Sequence, residues 1–299
     1  MRVTRSFARE LRRLAKHCLR LAQADLFLLS PPKCGRTWLR VMLTHHWHQR
    51  FGTPASELIA FDNLHRLEAR IPRLFLSHLL NEPEPLRRWL GPALIGRRPV
   101  VLLVRDPRDA LVSLYVHFRF RSRPQRWQRF GLRDDPRAMS LVQFLHHPRL
   151  GLRSFLALYA RLADFLDRCP RCLLLRYEDM RCHPEHSLAR LLAFLGEPVQ
   201  QEAIARTLAF AAADNMRRLE AEGFFRTEVL RPRDPAEPRS FKTREGRIGS
   251  WQEEVPEALQ AELTAMLEAQ LDPRFGYGVS SRPRAKANPP DAAGSARSS

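Results

Sequence analysis

Residues 26–30 (LFLLS) are apolar, the next few residues form a tight polar turn, and an amphipathic pattern then runs from about 37 to 50. A buried strand, a turn and a helix in that order leave a chain few topologies. The helix must carry the chain back so that a later strand lies parallel to the first, and such crossovers are right-handed. Three further apolar runs read as strands, at 73–77 (RLFLS), 99–104 (PVVLLV) and 171–176 (RCLLLR). Helical patterns at about 107–119, 153–168 and 185–195 separate or follow them. The alternation predicts an α/β fold, a central parallel sheet flanked by helices.

In open α/β sheets ligands sit beyond the carboxyl ends of the strands. The polar residues that follow the four strands are Lys33 with its loop, His78, Arg105 and Tyr177. They are far apart in sequence and are expected to gather at one edge of the sheet. The loop after the first strand, SPPKCGRTW, has the marks of an anion cradle. Pro31 and Pro32 hold the chain extended, and Gly35 permits a positive φ that lets amides converge. Thr37 and Trp38 open a helix whose N-terminal dipole favours negative charge, and Lys33 adds a point charge. The loop lacks the Gly-Lys-Ser/Thr ending of nucleoside triphosphate enzymes, and no acidic strand end stands ready for a metal. Both absences count against a kinase or NTPase.

Composition narrows the class further. The 299 residues are 44% hydrophobic, enough for one substantial core. The formal net charge is +18, and 46 of the 50 basic residues are Arg. Part of that excess reads as codon bias; the remainder favours an anionic ligand, an acidic partner or a membrane surface. Five cysteines, an odd number, argue against a disulfide framework and for a reducing compartment. With no secretory signal pattern and no run of eighteen apolar residues, a soluble cytoplasmic protein is expected. Residues 1–24 read as a basic amphipathic helix, with Phe7, Leu11, Leu14, Cys18 and Leu21 on one face, packed on the domain or touching a membrane surface. The main domain spans 25–279, and the Pro-, Ala- and Ser-rich tail 280–299 is expected to be disordered. Segments 121–139 and 222–243 lack periodicity and read as long loops of the lid or binding kind.

The motifs together resemble the cytosolic-type sulfotransferases, which use 3'-phosphoadenosine 5'-phosphosulfate (PAPS). That family's 5'-phosphosulfate loop, Pro-Lys-Ser-Gly-Thr-Thr-Trp, is matched by Pro32, Lys33, Cys34, Gly35, Arg36, Thr37 and Trp38. "RDPRDALVS" is similar to the second cofactor motif, which implies that Arg105 and Ser113 hold the 3'-phosphate. "LLLRYEDM" implies that Tyr177 contacts the adenine. "REGRIGSW" resembles the C-terminal segment, which implies that Arg244 and Gly246 close over the 3'-phosphate. The four matches fall in the family's order between residues 26 and 251. The resemblance implies the P-loop-like sulfotransferase fold and transfer of a sulfuryl group to the hydroxyl or amine of a small-molecule or glycan-like acceptor, with no metal required.

The family's base is a His after a strand, within Lys-Thr-His; here Leu76, Ser77 and His78 stand in those places. The resemblance implies His78 as general base, Lys33 stabilising the leaving phosphate oxygen, and Trp38 stacking on adenine. Cys34 and Arg36 replace a Ser and a Thr of the cradle, and Leu76 replaces a Lys near the base. The family's short dimer motif is not found after Trp251, so the oligomeric state stays open.

Two other readings are weaker. Cys169, Cys172, Cys182, His183 and His186 have a zinc-like spacing, but Cys172 begins an apolar strand, which favours buried thiols. Arg119 to Arg137 interleaves Arg with Phe118, Phe120, Trp127 and Phe130, a pattern that suits single-stranded nucleic acid. The general Arg bias weakens it, and no nucleic-acid partner is expected.

Overall fold

The computed structural model describes residues 2–78, 95–122, 132, 135–243 and 246–277. Four strands form within a residue or two of the expected places: β1 (Leu26–Leu29), β2 (Leu74–Ser77), β3 (Val100–Val104) and β4 (Cys172–Arg176). All are parallel, in the order β2-β1-β3-β4. Leu29 pairs with Ser77 on one side and with Leu102 on the other, and Val104 pairs with Arg176. The two central strands are buried at every residue, as helices on both faces require, while the edge strand β4 is only partly covered.

The helices are α1 (Arg2–Gln23), α2 (Arg36–Phe51), α3 (Pro107–Phe120), α4 (Leu141–His146), α5 (Leu152–Arg168), α6 (Tyr177–Cys182), α7 (Pro184–Leu195), α8 (Gln201–Phe210), α9 (Ala213–Ala221), α10 (Trp251–Glu254) and α11 (Glu257–Gln270). From β1 the chain crosses to β2 on one side, then returns past β1 to lay β3 on the other. The loops after β1 and β3 therefore diverge, and the crevice between them is the place where such sheets take ligands. None of the helices among the described residues is long and apolar enough to cross a membrane.

One sequence expectation is corrected here. Among the α1 side chains that are described, the inward stripe is Leu14, His17 and Leu21 and does not include Cys18; Phe7 and Leu11 lie outside the described side chains. The His17 ring meets Phe75 edge-on at 5.1 Å, and Cys18 is exposed. The 222–243 segment is a long irregular loop, as expected, and it is pinned. Two short 3-10 turns (Glu228–Leu230 and Pro238–Ser240) are tied to the Arg121 guanidinium, which donates to the carbonyls of Val229 (3.2 Å) and Ser240. The tail from 280 and most of the 121–139 loop lie outside the described residues, and Phe118 is a core residue.

Helix α2 is held from outside by Glu197, just past α7. Its carboxylate accepts from Trp47 Nε1 at 3.0 Å, contacts His46 Nε2 at 3.2 Å and pairs with Arg50. Burial works to raise the Glu197 carboxyl, but hydrogen bonds from His46, Trp47 and Arg50 win and bring it down to about 2. A carboxyl held below its ordinary value contributes stability that is complete above about pH 4.5 and is lost as pH falls toward 2. Glu197→Ala leaves the fully buried Trp47 without its acceptor and is expected to cost about 2 kcal/mol in denaturant unfolding. The fall in melting temperature between pH 5 and 3 should be shallower in the variant than in the parent.

Candidate active site

The turn after β1 takes two left-handed residues, Lys33 at φ 69° and Gly35 at φ 89°. Lys33 is the only non-glycine residue with positive φ among those described. Such a conformation costs of order 1 kcal/mol and persists where the surroundings enforce it, most often at ligand clamps. Left-handed residues two apart bend the amides into a concavity of the kind that receives anions, and α2 opens directly behind it. Cys34 lies wholly buried below, its thiol toward the Pro32 carbonyl at 3.7 Å. Burial pushes that thiol up to about 12, so it stays protonated and offers a ligand only its main chain.

Gly35 answers a second demand. A Cβ there would lie 2.6 Å from the Tyr177 ring. Tyr177, at the start of α6, is itself buried, and its hydroxyl donates to the Gly246 carbonyl at 3.0 Å. The Arg105 guanidinium sits 4.4 Å above the ring. Arg105 donates to the carbonyls of Lys33 (3.5 Å) and Arg247 (3.1 Å) and pairs with Asp109 at 3.5 Å. Its own backbone is clamped by the Tyr159 hydroxyl, which accepts from Arg105 N at 3.2 Å and donates to Arg105 O. The loops after β1, β3 and β4 thus meet as the strand order requires.

Asp109 brings in the C-terminal segment. Its carboxylate accepts from Gly249 N (2.8 Å), Ser250 Oγ (3.2 Å) and Trp251 N (3.0 Å), and Arg108 covers the Trp251 ring at 4.1 Å. Ser113 lies buried farther along α3. Trp38 is half-buried, donates from Nε1 to the Ala211 carbonyl (2.8 Å) and meets Tyr177 edge-on. Arg244 lies outside the described residues.

His78 stands just beyond β2, beside the cradle. Its Nδ1 lies 3.1 Å from the Ser30 carbonyl and its Nε2 lies 2.7 Å from Arg36 Nη2. A carbonyl only accepts and a guanidinium only donates, so the partners fix the neutral ring with its proton on Nδ1 and a lone pair on Nε2. Burial, followed by the Arg36 charge, holds the imidazole well below its ordinary value of 6.5. Lys242 also faces this ring electrostatically; burial, then Arg121 and Arg36, bring it down to about 8. Its main chain is held by Glu220, which accepts from Lys242 N at 2.5 Å and Thr243 N at 2.8 Å.

Residues 23–273 match the model of a family described as the sulfotransferase domain. The chain belongs to the sulfotransferase family. It is similar to sulfotransferase 2A2 of Rattus norvegicus, 25% identical over 63% of this chain and 65% of the rat enzyme, a little under two thirds of that relative. It is similar also to flavonol 4'-sulfotransferase of Flaveria chlorifolia, 22% identical over 86% of this chain and 82% of the plant enzyme. The fold matches that of mouse sulfotransferase SULT7A1, solved in complex with PAP, at a TM-score of 0.53 and 20% identity, covering 82% and 83% of the two chains.

The residues around the cradle fit a polyanionic ligand. Three enclosed polar atoms around the loops after β1 and β3 have no hydrogen-bond partner among the described residues: Ser30 Oγ, Arg36 Nη1 and Arg105 Nε. A cluster of buried donors without acceptors suits a multiply charged anion. Sequence reasoning missed Asp109, Tyr159, Glu220 and Lys242. Asp109 had a faint signal, as an acid in the first turn of α3. Lys242 had another, being one of four Lys in a chain that otherwise uses Arg. Asp109→Ala leaves the buried Trp251 amide and the part-buried Gly249 amide without an acceptor, at about 1–3 kcal/mol for the buried one. The variant should melt several degrees lower and be cut faster by trypsin around residues 244–247, with cutting elsewhere little changed.

Proposed function

We propose that this sulfotransferase carries the sulfuryl group of PAPS to the hydroxyl or amine of a small-molecule acceptor, with His78 as general base. The observation that carries this reading is the fixed tautomer of His78, whose Nε2 lone pair stands beside an anion cradle built by Lys33 and Gly35. The donor, when bound, supplies an activated sulfuryl group on a phosphate that already carries the leaving charge. His78 takes the acceptor's proton on Nε2 as the bond from the acceptor's oxygen or nitrogen to sulfur forms and the S–O bond to the phosphate breaks. Lys33 and the loop amides stabilise the charge left on the phosphate oxygen.

In this reading Cys34, Gly35, Arg36 and Thr37 surround the 5' end of the nucleotide, Cys34 through its amide alone. Trp38 and Tyr177 border the adenine, and Arg105, Ser113, Arg244 and Gly246 take the 3'-phosphate. Asp109 and Glu220 act on these groups by holding their segments. The cytosolic-type resemblance and five free thiols agree with a cytoplasmic location. The flavonol-named relative agrees with a small organic acceptor.

His78→Ala should retain PAP affinity in calorimetry within about threefold while transfer falls by 10²–10⁴-fold. Lys33→Ala should weaken PAP and slow transfer as well. Unchanged turnover in the His78 variant overturns the assignment of the base.

The pH profile follows from two depressed groups. His78 is neutral throughout the physiological range, so the acid limb of kcat/KM for the donor should lie below 6.5. Lys242 is charged below about 8 and neutral above it, so attraction for the anionic donor should decline as pH rises through 8. Lys242→Arg should carry that alkaline limb at least one pH unit higher, because a guanidinium keeps its proton.

A further inference from the structure

The hydrogen bond between Arg36 and His78 places a donor where the base needs to be empty. At 2.7 Å the guanidinium occupies the Nε2 lone pair that an acceptor's proton would require. The same side chain has Nη1 enclosed and without a partner, and no carboxylate pairs with it among the described residues. Burial leaves the guanidinium short of its ordinary stability, bringing it down to about 10. Arg36 is also the first residue of α2, directly after Gly35, so its backbone borders the cradle. The neutral imidazole accepts a bond assisted only by the guanidinium's charge, whereas a seated anion adds a full opposite charge and can accept from two nitrogens of the fork.

We propose that Arg36 is a donor shared in turn between the base and the anion: it caps His78 in the free enzyme and moves to the nucleotide's phosphosulfate when that is seated. The base is uncovered only then, so proton abstraction waits on donor binding. This rests on the proposed sulfuryl transfer for the identity of the anion, though not for the cap itself. Arg36 is then a positioning residue with respect to His78. Groups facing the imidazole are Arg36 from α2, Lys242 from the C-terminal segment, and the Ser30 and Pro31 carbonyls from the loop after β1. Of these only Arg36 reaches Nε2 by a hydrogen bond.

The test is a titration of His78 by NMR, on ¹³C- and ¹⁵N-labelled imidazole, in the full chain, with Arg36→Leu and Arg36→Lys beside the parent. Each is measured free, with saturating PAP and with inorganic sulfate, and thermal melts establish that each variant is folded. In the free enzyme, Arg36→Leu should raise the His78 midpoint by about one pH unit, and Arg36→Lys should restore most of the parent value. PAP should raise the parent midpoint more than that of Arg36→Leu, and should remove the Nε2 shift typical of an accepted hydrogen bond. Equal free midpoints in the parent and the Leu variant overturn the cap. PAP that binds by calorimetry and leaves the Nε2 signal unchanged overturns the transfer of Arg36. If PAP fails to bind but sulfate uncovers Nε2, the nucleotide reading fails and the shared donor stands; if neither uncovers it, the shared donor fails. Should Arg36→Leu not fold, Arg36→Met takes its place in every arm.

Discussion

The Tyr177 ring is packed where three loops have to meet. It fills the space that a side chain at residue 35 would take, its hydroxyl reaches the Gly246 carbonyl, and Arg105 lies across its face. A Cβ on Gly35 would come within 2.6 Å of the ring, and one on Gly246 within 2.5 Å of the hydroxyl. Both glycines also have positive φ, so steric room and backbone conformation demand the same residue at each place. The loops after β1 and β3 and the segment at Gly246 all come against the ring, which the start of α6 carries. Wedged around one aromatic ring, they hold the cradle in the curved form that Lys33 alone would not keep.

The distribution of acids follows from this arrangement. Asp109 gives its oxygens to amides and a hydroxyl of the 249–251 segment, and Glu220 gives both of its oxygens to amides of 242–243. Glu178 accepts from Asp106 N and from Tyr277, and burial pushes its carboxyl up. Acids near the site are thus engaged in shaping backbone, and the cations around the cradle are only partly neutralised. Burial lowers both Arg36 and Lys242, and for Lys242 the charges of Arg121 and Arg36 add to it. Cations pressed together out of water are stabilised by an incoming anion, so the strain in the free enzyme favours ligand binding.

How far the sequence carried the argument depends on range. Strands β1 to β4 and helices α2, α3, α5 and α7 were legible because their periodicity is local and strong. The meeting of Lys33, His78, Arg105 and Tyr177 was legible from topology, because all four follow parallel strands. The inward face of α1 was misread, since His17 takes a place that a count of apolar residues alone would not give it. Glu220 and Tyr159 were invisible, and Asp109 nearly so, for a plainer reason: each acts on backbone groups of a segment tens of residues away, and no spacing rule encodes such a bond. Arg36 looked like a departure from a motif until its partner was known.

That departure makes chemical sense beside a base. A lysine donating to the lone pair of a buried imidazole, in surroundings that bring Lys242 down to about 8, would hold its proton by a narrow margin. A guanidinium in the same place keeps its proton even where burial brings it down to about 10, since His78 lies well below 6.5. Arg36 can therefore occupy Nε2 without protonating it, and its planar fork still presents Nη1 for an anion. The tunable cation is Lys242, which acts on the base through its charge alone, while Arg36 holds the hydrogen bond to Nε2.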